Sequence, residues 1–203
     1  MKYPAFFDEI PAIILSDPLA NFLGAAEAGV IEYRYVDAVK LAGHSCPTVA
    51  SAYWMTSMAL KALYQEQMPE RGNIQVEFNR GIKEGTTGVV ANVVGMITGA
   101  ATEGGFKGLS GAFDRRNSMI FEVEMQTGMR FTRLDTRLSV VTSVDMHQVP
   151  AAPGLMKLMS SYLNGTIGEA EKSEFRQLWQ ARVRSLLLDY GQDSRVFSVD
   201  YVQ

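Results

Sequence analysis

The stretch GHSCPTVASAYWMTSMALKALY, residues 43–64, constrains the fold of this chain more than any other. No charged residue lies between His44 and Leu60, and the serine and threonine residues of this segment have small side chains. Pro47 favours the first position of a helix, where its missing N–H would have no partner. The pattern therefore predicts a helix that begins next to Cys46, runs to about Gln65 and is buried on nearly all sides.

The composition argues against several classes of protein. The chain has 203 residues, enough for one well-packed domain or a domain with an appended unit. A net charge of −3 and a pI near 5.5 argue against nucleic-acid binding. The apolar runs are shorter than the ~20 residues of a membrane span, and Asp8 and Glu9 make the first segment a poor signal peptide. Because Cys46 is the only cysteine, we expect a cytoplasmic protein. From the charge and the short apolar runs we expect it to associate with neither nucleic acid nor membrane.

The first third of the chain predicts an arm, a helix and a strand. Residues 1–15 form an extended arm broken by prolines. Pro18 starts a helix, capped by Asp17 or Ser16, which ends at Gly29. Alternating apolar and charged residues predict a strand over residues 31–35, from which a connection over residues 36–42 leads to the central helix.

The middle of the chain is predicted to be β-rich. Residues 73–79 alternate as a half-buried strand does, and residues 86–98 are mostly β-branched, with Gly88 and Gly95 as bulges or points of close approach. Residues 119–126 and 129–144 predict a long hairpin about a turn at residues 127–128. Between these strands lies a glycine-dense loop, residues 99–118, of a length that is often functional in compact domains.

The last part of the chain predicts helices and a final strand. A short helix covers residues 154–163, a longer one covers residues 169–190 and ends at Gly191, and a strand covers residues 195–202. The whole order indicates an α+β fold, with an antiparallel or mixed sheet packed on the buried central helix. We predict a core over residues 1–146 and a helical C-terminal extension, residues 147–203, packed on it.

His44 and Cys46 are the candidate catalytic residues and metal ligands. Imidazole and thiolate are ligands that zinc, nickel and iron share. Asp37 is a third candidate, as a ligand or as a partner that orients His44. The only other histidine or cysteine is His147, so one chain cannot supply four such ligands to a structural zinc site. We therefore expect an open site for a divalent metal, zinc foremost, completed by carboxylate, water or ligands from a second copy of the chain.

Simpler interpretations of the same residues stay open. Cys46 can be a small buried hydrophobe beside a hydrogen-bonded loop histidine, and Asp37 a solvated turn residue.

The charged tip of the glycine-dense loop, Asp114 with Arg115 and Arg116, is a candidate contact for a carboxylate or phosphate ligand. A solvated loop is the alternative there.

The central stretch resembles the signature of the FmdE family, which is named after a component of formylmethanofuran dehydrogenase. That signature is histidine–glycine–histidine, any residue, Cys-Pro-Gly and then a helix with a Gly-Tyr-Arg-Met-like stretch. The residues in register are Gly43, His44, Cys46, Pro47, Tyr53 and Met55. Residues 97–108 are similar to a second segment of the family, with Thr98, Gly99 and Thr102 in place. The sequence departs from the pattern at Ala42, Thr48 and Trp54, and lacks both a second cysteine and the C-terminal zinc finger of some members.

The resemblance covers residues 17–140 and implies an α+β core, a divalent metal at His44 and Cys46, and a homodimer. Tyr53 and Thr102 are then candidate cofactor contacts, together with Asp114. It does not imply formylmethanofuran dehydrogenase activity.

Three functions follow as hypotheses. The first is a metal-binding accessory factor of one-carbon or redox metabolism, whose His44–Cys46 site opens on a pocket covered by residues 99–111. The second is a thiol enzyme without a metal, in which Cys46 is a nucleophile activated by the helix end and His44. The third is a binding module that holds a small ligand in an apolar pocket lined by Tyr53, Trp54 and Met55.

Overall fold

The computed structural model describes residues 2–202 and confirms an α+β fold. The strands are β1 (Ile13–Ser16), β2 (Val30–Tyr33), β3 (Ile74–Phe78), β4 (Met119–Ile120), β5 (Met129–Arg133), β6 (Ser139–Val144) and β7 (Phe197–Tyr201). The helices are α1 (Pro18–Phe22), α2 (Tyr35–Ala42), α3 (Pro47–Tyr64), α4 (Thr87–Thr98), α5 (Leu155–Leu163) and α6 (Glu169–Arg184). Short 3-10 turns occupy Ala5–Glu9, Glu27–Gly29 and Met146–Gln148.

Helix α3 is the centre of the core, as the sequence predicts. Twelve of its 18 residues are buried, and they cover every side of the helix. The sheet strands β5, β6 and β7 pack against it, and so do the helices α2, α4 and α6. An apolar helix of this kind is stable in water only when neighbouring elements cover it all round.

The main sheet has the strand order β4-β3-β5-β6-β7, antiparallel except where β3 and β4 run parallel. Val76 of β3 lies between Met119 of β4 and Phe131 of β5, and Phe131 faces Val140 of β6. These four side chains are buried and form one apolar row across the sheet. A second sheet contains the antiparallel pair β1 and β2.

The predicted strand over residues 86–98 is wrong, because this segment forms helix α4. Its buried residues Thr87, Ala91, Val94 and Thr98 recur at helical spacing, which the β-branched composition obscured. Burial against α2 and α3 outweighs the weak β preference of valine and isoleucine. Gly95 is accordingly not a bulge: a Cβ there would lie 2.9 Å from the Ala100 carbonyl oxygen.

The predicted hairpin about residues 127–128 is also wrong. Only Met119–Ile120 of its first arm is a strand, and β4 pairs parallel with β3. The chain thus makes a β3–α4–β4 crossover, which becomes possible once residues 87–98 are a helix. The true hairpin joins β5 and β6, closed by a hydrogen bond from Arg133 N to the Leu138 carbonyl.

The N-terminal third differs from the prediction in detail. The arm contains a 3-10 turn and the strand β1, although Met1 lies outside the described residues. Asp17 caps α1 and Pro18 is its first residue, as predicted, but α1 ends at Phe22 instead of Gly29. The connection over residues 36–42 is part of helix α2, which begins at the fully buried Tyr35 and is capped by a hydrogen bond from Arg34 N to Asp37.

The C-terminal segment completes the core. Helix α6 continues as a π-helical turn, Ser185–Asp189, so the predicted helix over residues 169–190 is present with a widened last turn. Leu186 and Leu187 of this turn are buried, and Trp54 Nε1 donates a hydrogen bond of 2.8 Å to the Gly191 carbonyl. Strand β7 lies within the strand predicted over residues 195–202, and it pairs antiparallel with β6.

Two substitutions in α4 test that this segment is a helix. Asn92→Ala should raise the free energy of unfolding by up to about 0.7 kcal/mol, because Asn92 is exposed and alanine has the higher helix propensity. Gly95→Ala should lower it, because an overpacking cost of about 1–3 kcal/mol outweighs a propensity gain of about 1 kcal/mol. Urea unfolding of the two variants measures both effects. A destabilising Asn92→Ala or a stabilising Gly95→Ala would contradict the helix.

Candidate functional site

Cys46 caps the N-terminus of α3, as the sequence predicts. Its extended backbone precedes Pro47, the first helical residue, and its Sγ atom accepts a hydrogen bond of 3.5 Å from Val49 N. The thiol is free and partly exposed. A sulfur held at the N–H end of a long helix is in a setting that favours negative charge, which suits both metal ligation and nucleophilic chemistry.

His44 lies in the short turn between α2 and α3. Helix α2 ends with Gly43 in the left-handed conformation, and His44 follows it with an exposed side chain. Its Nδ1 atom lies 2.9 Å from the Ala42 carbonyl oxygen. A carbonyl only accepts, so Nδ1 carries the proton and donates it, which leaves the Nε2 lone pair available to a metal or a proton.

Ser45 anchors the turn between His44 and Cys46. Its hydroxyl lies 2.9 Å from the Tyr35 hydroxyl, and its carbonyl accepts hydrogen bonds from Trp179 Nε1 at 2.9 Å and Gln180 Nε2 at 3.2 Å. Burial raises the pKa of Tyr35, so its hydroxyl stays protonated at neutral pH. The candidate site is therefore held by α2 on one side and α6 on the other.

Asp37 has local partners in the first turn of α2. Its Oδ2 atom accepts from Arg34 N at 2.9 Å, and its Oδ1 atom accepts from Lys40 Nζ at 3.1 Å. These bonds cap α2 and give each carboxylate oxygen of Asp37 a partner other than His44. Among residues 2–202, no group of three or more His, Cys, Asp and Glu side chains is arranged to hold a metal.

A cavity of about 270 Å³ borders the motif at Ser45. We call it the Ser45 cavity. It lies between the N-terminal arm, α2 and α6, and its lining is mostly apolar and aromatic: Tyr3, Pro4, Phe7, Val39, Ser45, Phe175, Arg176, Trp179 and Gln180. The rings of Phe175 and Trp179 pack 5.7 Å apart in its wall. Its lining includes no residue of the segment 99–111, although the sequence predicts that this segment covers the site.

The three candidate cofactor contacts lie elsewhere. Tyr53 is fully buried, and its hydroxyl lies 2.8 Å from the Pro11 carbonyl and 2.9 Å from the Tyr33 carbonyl. Thr102 lines a cavity beside α4, and its carbonyl accepts hydrogen bonds from two backbone N–H groups of the loop. Asp114 is exposed and holds Arg116 in a two-pronged ion pair.

The sequence did not reveal a buried ion cluster at Asp17. This carboxylate is 3% exposed and accepts from Arg115 Nη2 at 2.6 Å and from Arg71 Nη1 at 2.9 Å. Burial alone would raise the pKa of Asp17, but the hydrogen bonds from Arg115, Ala20 N and Arg71 outweigh it and lower the pKa. The Asp17–Pro18 cap has a local sequence signal, whereas the arginine partners of Asp17, which lie 54 and 98 residues away, have none.

The Asp17 cluster also explains why residue 99 of the loop is a glycine. Gly99 has a φ of +76°, and a Cβ there would lie 2.8 Å from Arg115 Nη1. Only glycine fits both the backbone conformation and the space beside the guanidinium group. Arg115, predicted as part of a charged loop tip, is therefore a buried residue that ties the loop to α1.

Comparison with known proteins assigns no family. No protein-family model matches the chain, and no curated protein sequence matches it. The likeness to the FmdE family thus depends on the residues quoted above and stays a prediction. Of the helices within residues 2–202, none combines the length and the apolar character needed to cross a membrane.

The Asp17 cluster predicts how the free energy of unfolding depends on pH. Asp17→Asn should lower the free energy of unfolding at pH 7 by about 3–5 kcal/mol, because the buried guanidinium group of Arg115 and the part-buried one of Arg71 lose their counter-charge. The folded-state pKa of Asp17 is below its unfolded value, so this contribution is complete above about pH 4 and is lost as pH falls through the folded pKa. Urea unfolding from pH 7 to pH 2.5 should therefore show the wild-type and variant curves converging in acid.

Asp114→Asn is the matched control. Hydrogen bonds from Arg116 lower the pKa of Asp114 to about 2, but this pair is exposed and should matter little for stability. An Asp17→Asn effect no larger than that of Asp114→Asn, or one independent of pH, would contradict the role of the cluster.

Proposed function

We propose that this protein binds a divalent transition metal, zinc foremost, through His44 Nε2 and Cys46 Sγ. The observation that carries the proposal is the hydrogen bond from His44 Nδ1 to the Ala42 carbonyl. Metal-ligating histidines nearly always donate their second ring N–H to such an acceptor, which fixes the tautomer and turns the other nitrogen outward. The thiol two residues later is a soft ligand at the N–H end of α3.

The metal site is proposed as an open one. His44 and Cys46 supply two ligands, and Asp37 is engaged in capping α2. The remaining positions then belong to water, a small-molecule ligand or a second copy of the chain, in line with the homodimer that the family resemblance implies. An open position is what distinguishes catalytic and sensing sites from closed structural ones. A role as an accessory factor in one-carbon or redox metabolism is supported only by the family resemblance.

Elemental analysis tests the proposal directly. Protein purified without chelator and without nickel affinity resin should carry close to one transition metal ion per site, and His44→Ala and Cys46→Ala should each lose most of it. Each variant removes half of the two-residue ligand set, so neither should retain the ion. Native mass spectrometry of the same samples reports whether the metal-loaded form is a dimer.

His147→Ala is the control for that measurement. His147 is the other histidine of the chain and lies on the surface beyond β6. Its substitution should leave the metal content unchanged. Wild-type protein that takes up no metal even after reconstitution, or equal metal content in all four proteins, would exclude the site.

A second candidate function is the binding of a small apolar molecule in the Ser45 cavity. The aromatic lining of this cavity favours it, since such pockets hold ligands mainly by apolar contact. The predicted pocket formed jointly by Tyr53, Trp54 and Met55 is less well supported, because Tyr53 is fully buried and the other two line different cavities.

The dye 1-anilinonaphthalene-8-sulfonate probes the Ser45 cavity. With metal-free protein, its fluorescence should rise on binding, and Trp179→Ala should remove most of the rise because one wall of the cavity is lost. Phe22→Ala, which alters an aromatic ring that is 65% exposed elsewhere, is the matched control and should leave the signal intact. Equal signals from both variants would count against binding in this cavity.

A further inference from the structure

Another cavity lies beside the Asp17 cluster. We call it the Arg115 pocket. Its volume is about 250 Å³, and it lies between the start of α1, the segment after α3 and the glycine-dense loop. Its lining residues are Pro18, Glu70, Arg71, Gly72, Asn73, Ala112, Phe113, Asp114 and Arg115. Both arginines of the Asp17 cluster therefore form part of its wall.

Arg115 has hydrogen-bond donors that the protein leaves unused. Its side chain is only 9% exposed, and a guanidinium group has five N–H groups. Within residues 2–202 this side chain donates one hydrogen bond, from Nη2 to Asp17, while the buried Nε atom has no acceptor. Nearly every buried polar group in a folded protein has a partner, because leaving one without a partner is costly. A further acceptor in the pocket would supply the missing hydrogen bonds.

The charges of the cluster do not balance. Arg71 and Arg115 share the carboxylate of Asp17, so one negative charge faces two positive ones. In the described part of the chain, no second acidic group lies within ion-pair distance of either arginine. A positive charge removed from water is costly unless it is paired. A ligand with one negative charge would complete the pairing.

Two acidic residues at the pocket limit the charge of such a ligand. Glu70 and Asp114 also line it, and Asp114 is paired with Arg116. A ligand with two negative charges would be repelled by these carboxylates at close range. A monocarboxylate carries only the one charge that the cluster lacks. Its planar group also accepts parallel N–H bonds from a guanidinium group.

The pocket has an apolar wall and space beside the guanidinium group. Pro18 and Phe113 provide the wall, and the ring of Phe113 packs 5.5 Å from that of Phe22. Gly72 has a φ of +91°, and a Cβ there would lie 3.2 Å from Arg115 Nε. Glycine at this position thus suits the backbone and leaves room beside Arg115. The volume suits a small organic molecule.

We propose that the Arg115 pocket binds a small organic monocarboxylate. The carboxylate oxygens accept from Arg71 and from the N–H groups of Arg115 that Asp17 leaves unused. The carbon part of the ligand packs on Pro18 and Phe113. The pocket shares no lining residue with the Ser45 cavity and needs no metal, so the proposal is independent of the metal site.

Propanoate is the probe for this site. Titration of ¹⁵N-labelled protein at constant ionic strength should shift the Nε–H resonance of Arg115 and the amide resonance of Gly72 saturably. Propanamide has nearly the same shape without the charge and should have little effect. Inorganic phosphate should bind more weakly than propanoate, because Glu70 and Asp114 repel its second charge.

Two substitutions test the residues of the pocket. Asn73→Asp adds a carboxylate to the lining and should weaken propanoate binding about tenfold or more, because like charges repel. Asn73 is partly exposed, so this variant should fold normally. Arg115→Lys keeps the positive charge but removes the planar set of N–H groups, and it should also weaken binding about tenfold. Urea unfolding of this variant reports any loss of stability at the Asp17 ion pair.

Asn164→Asp is the matched control, because Asn164 is exposed at the end of α5 and does not line the pocket. It adds the same charge at a solvated position and should change the affinity by less than about twofold. The proposal is overturned if propanoate shifts neither resonance, which would mean that water alone fills the pocket. It is also overturned if propanamide or phosphate binds as tightly as propanoate, or if both asparagine variants weaken binding alike. Unchanged affinity in a folded Arg115→Lys variant overturns the role of Arg115 and with it the site.

Discussion

Burial of the apolar helix α3 is the constraint on which the rest of the structure depends. Every residue from Val49 to Thr56 is buried, and this run takes more than two turns of the helix, so a sheet on one face could not shield it. Each large apolar side chain of the helix, such as Leu60 or Leu63, contributes about 1.5–3 kcal/mol when it leaves water. The chain satisfies this requirement with strands on one side and with α2, α4 and α6 around the rest. The His44–Cys46 turn lies where this helix reaches the surface, so its position follows from the packing of the core.

Buried charge, by contrast, organises the loop between α4 and β4. Segments of this length without regular structure are usually either functional or disordered. Here Arg115 reaches from the loop to Asp17, and Arg71 approaches the same carboxylate from the segment after α3. Three parts of the chain that are distant in sequence therefore meet at one aspartate. Removing one partner of a buried ion pair destabilises a protein far more than replacing the whole pair by apolar residues does. The cluster therefore fixes which arrangement of the loop the protein adopts.

The sequence predicted those features whose cause is local. The Cys46 cap and Pro47 at the first helical position lie side by side, and so does the Asp17–Pro18 start of α1. The α4 segment is ambiguous in the sequence because its β-branched residues satisfy both a strand and a helix pattern, and only its packing against α3 decides between them. The lining of the Ser45 cavity comes from three separated segments, so composition and spacing do not predict it.

The position of α6 and β7 in the chain has a consequence for biosynthesis. These elements cover one side of α3, yet more than one hundred residues separate α3 from them in the sequence. A ribosome therefore exposes this buried helix well before its cover has been translated. Sheets that pair distant segments also form slowly, because loop closure must precede their contacts. The nascent chain accordingly has a long interval in which it presents α3 to chaperones or to other chains.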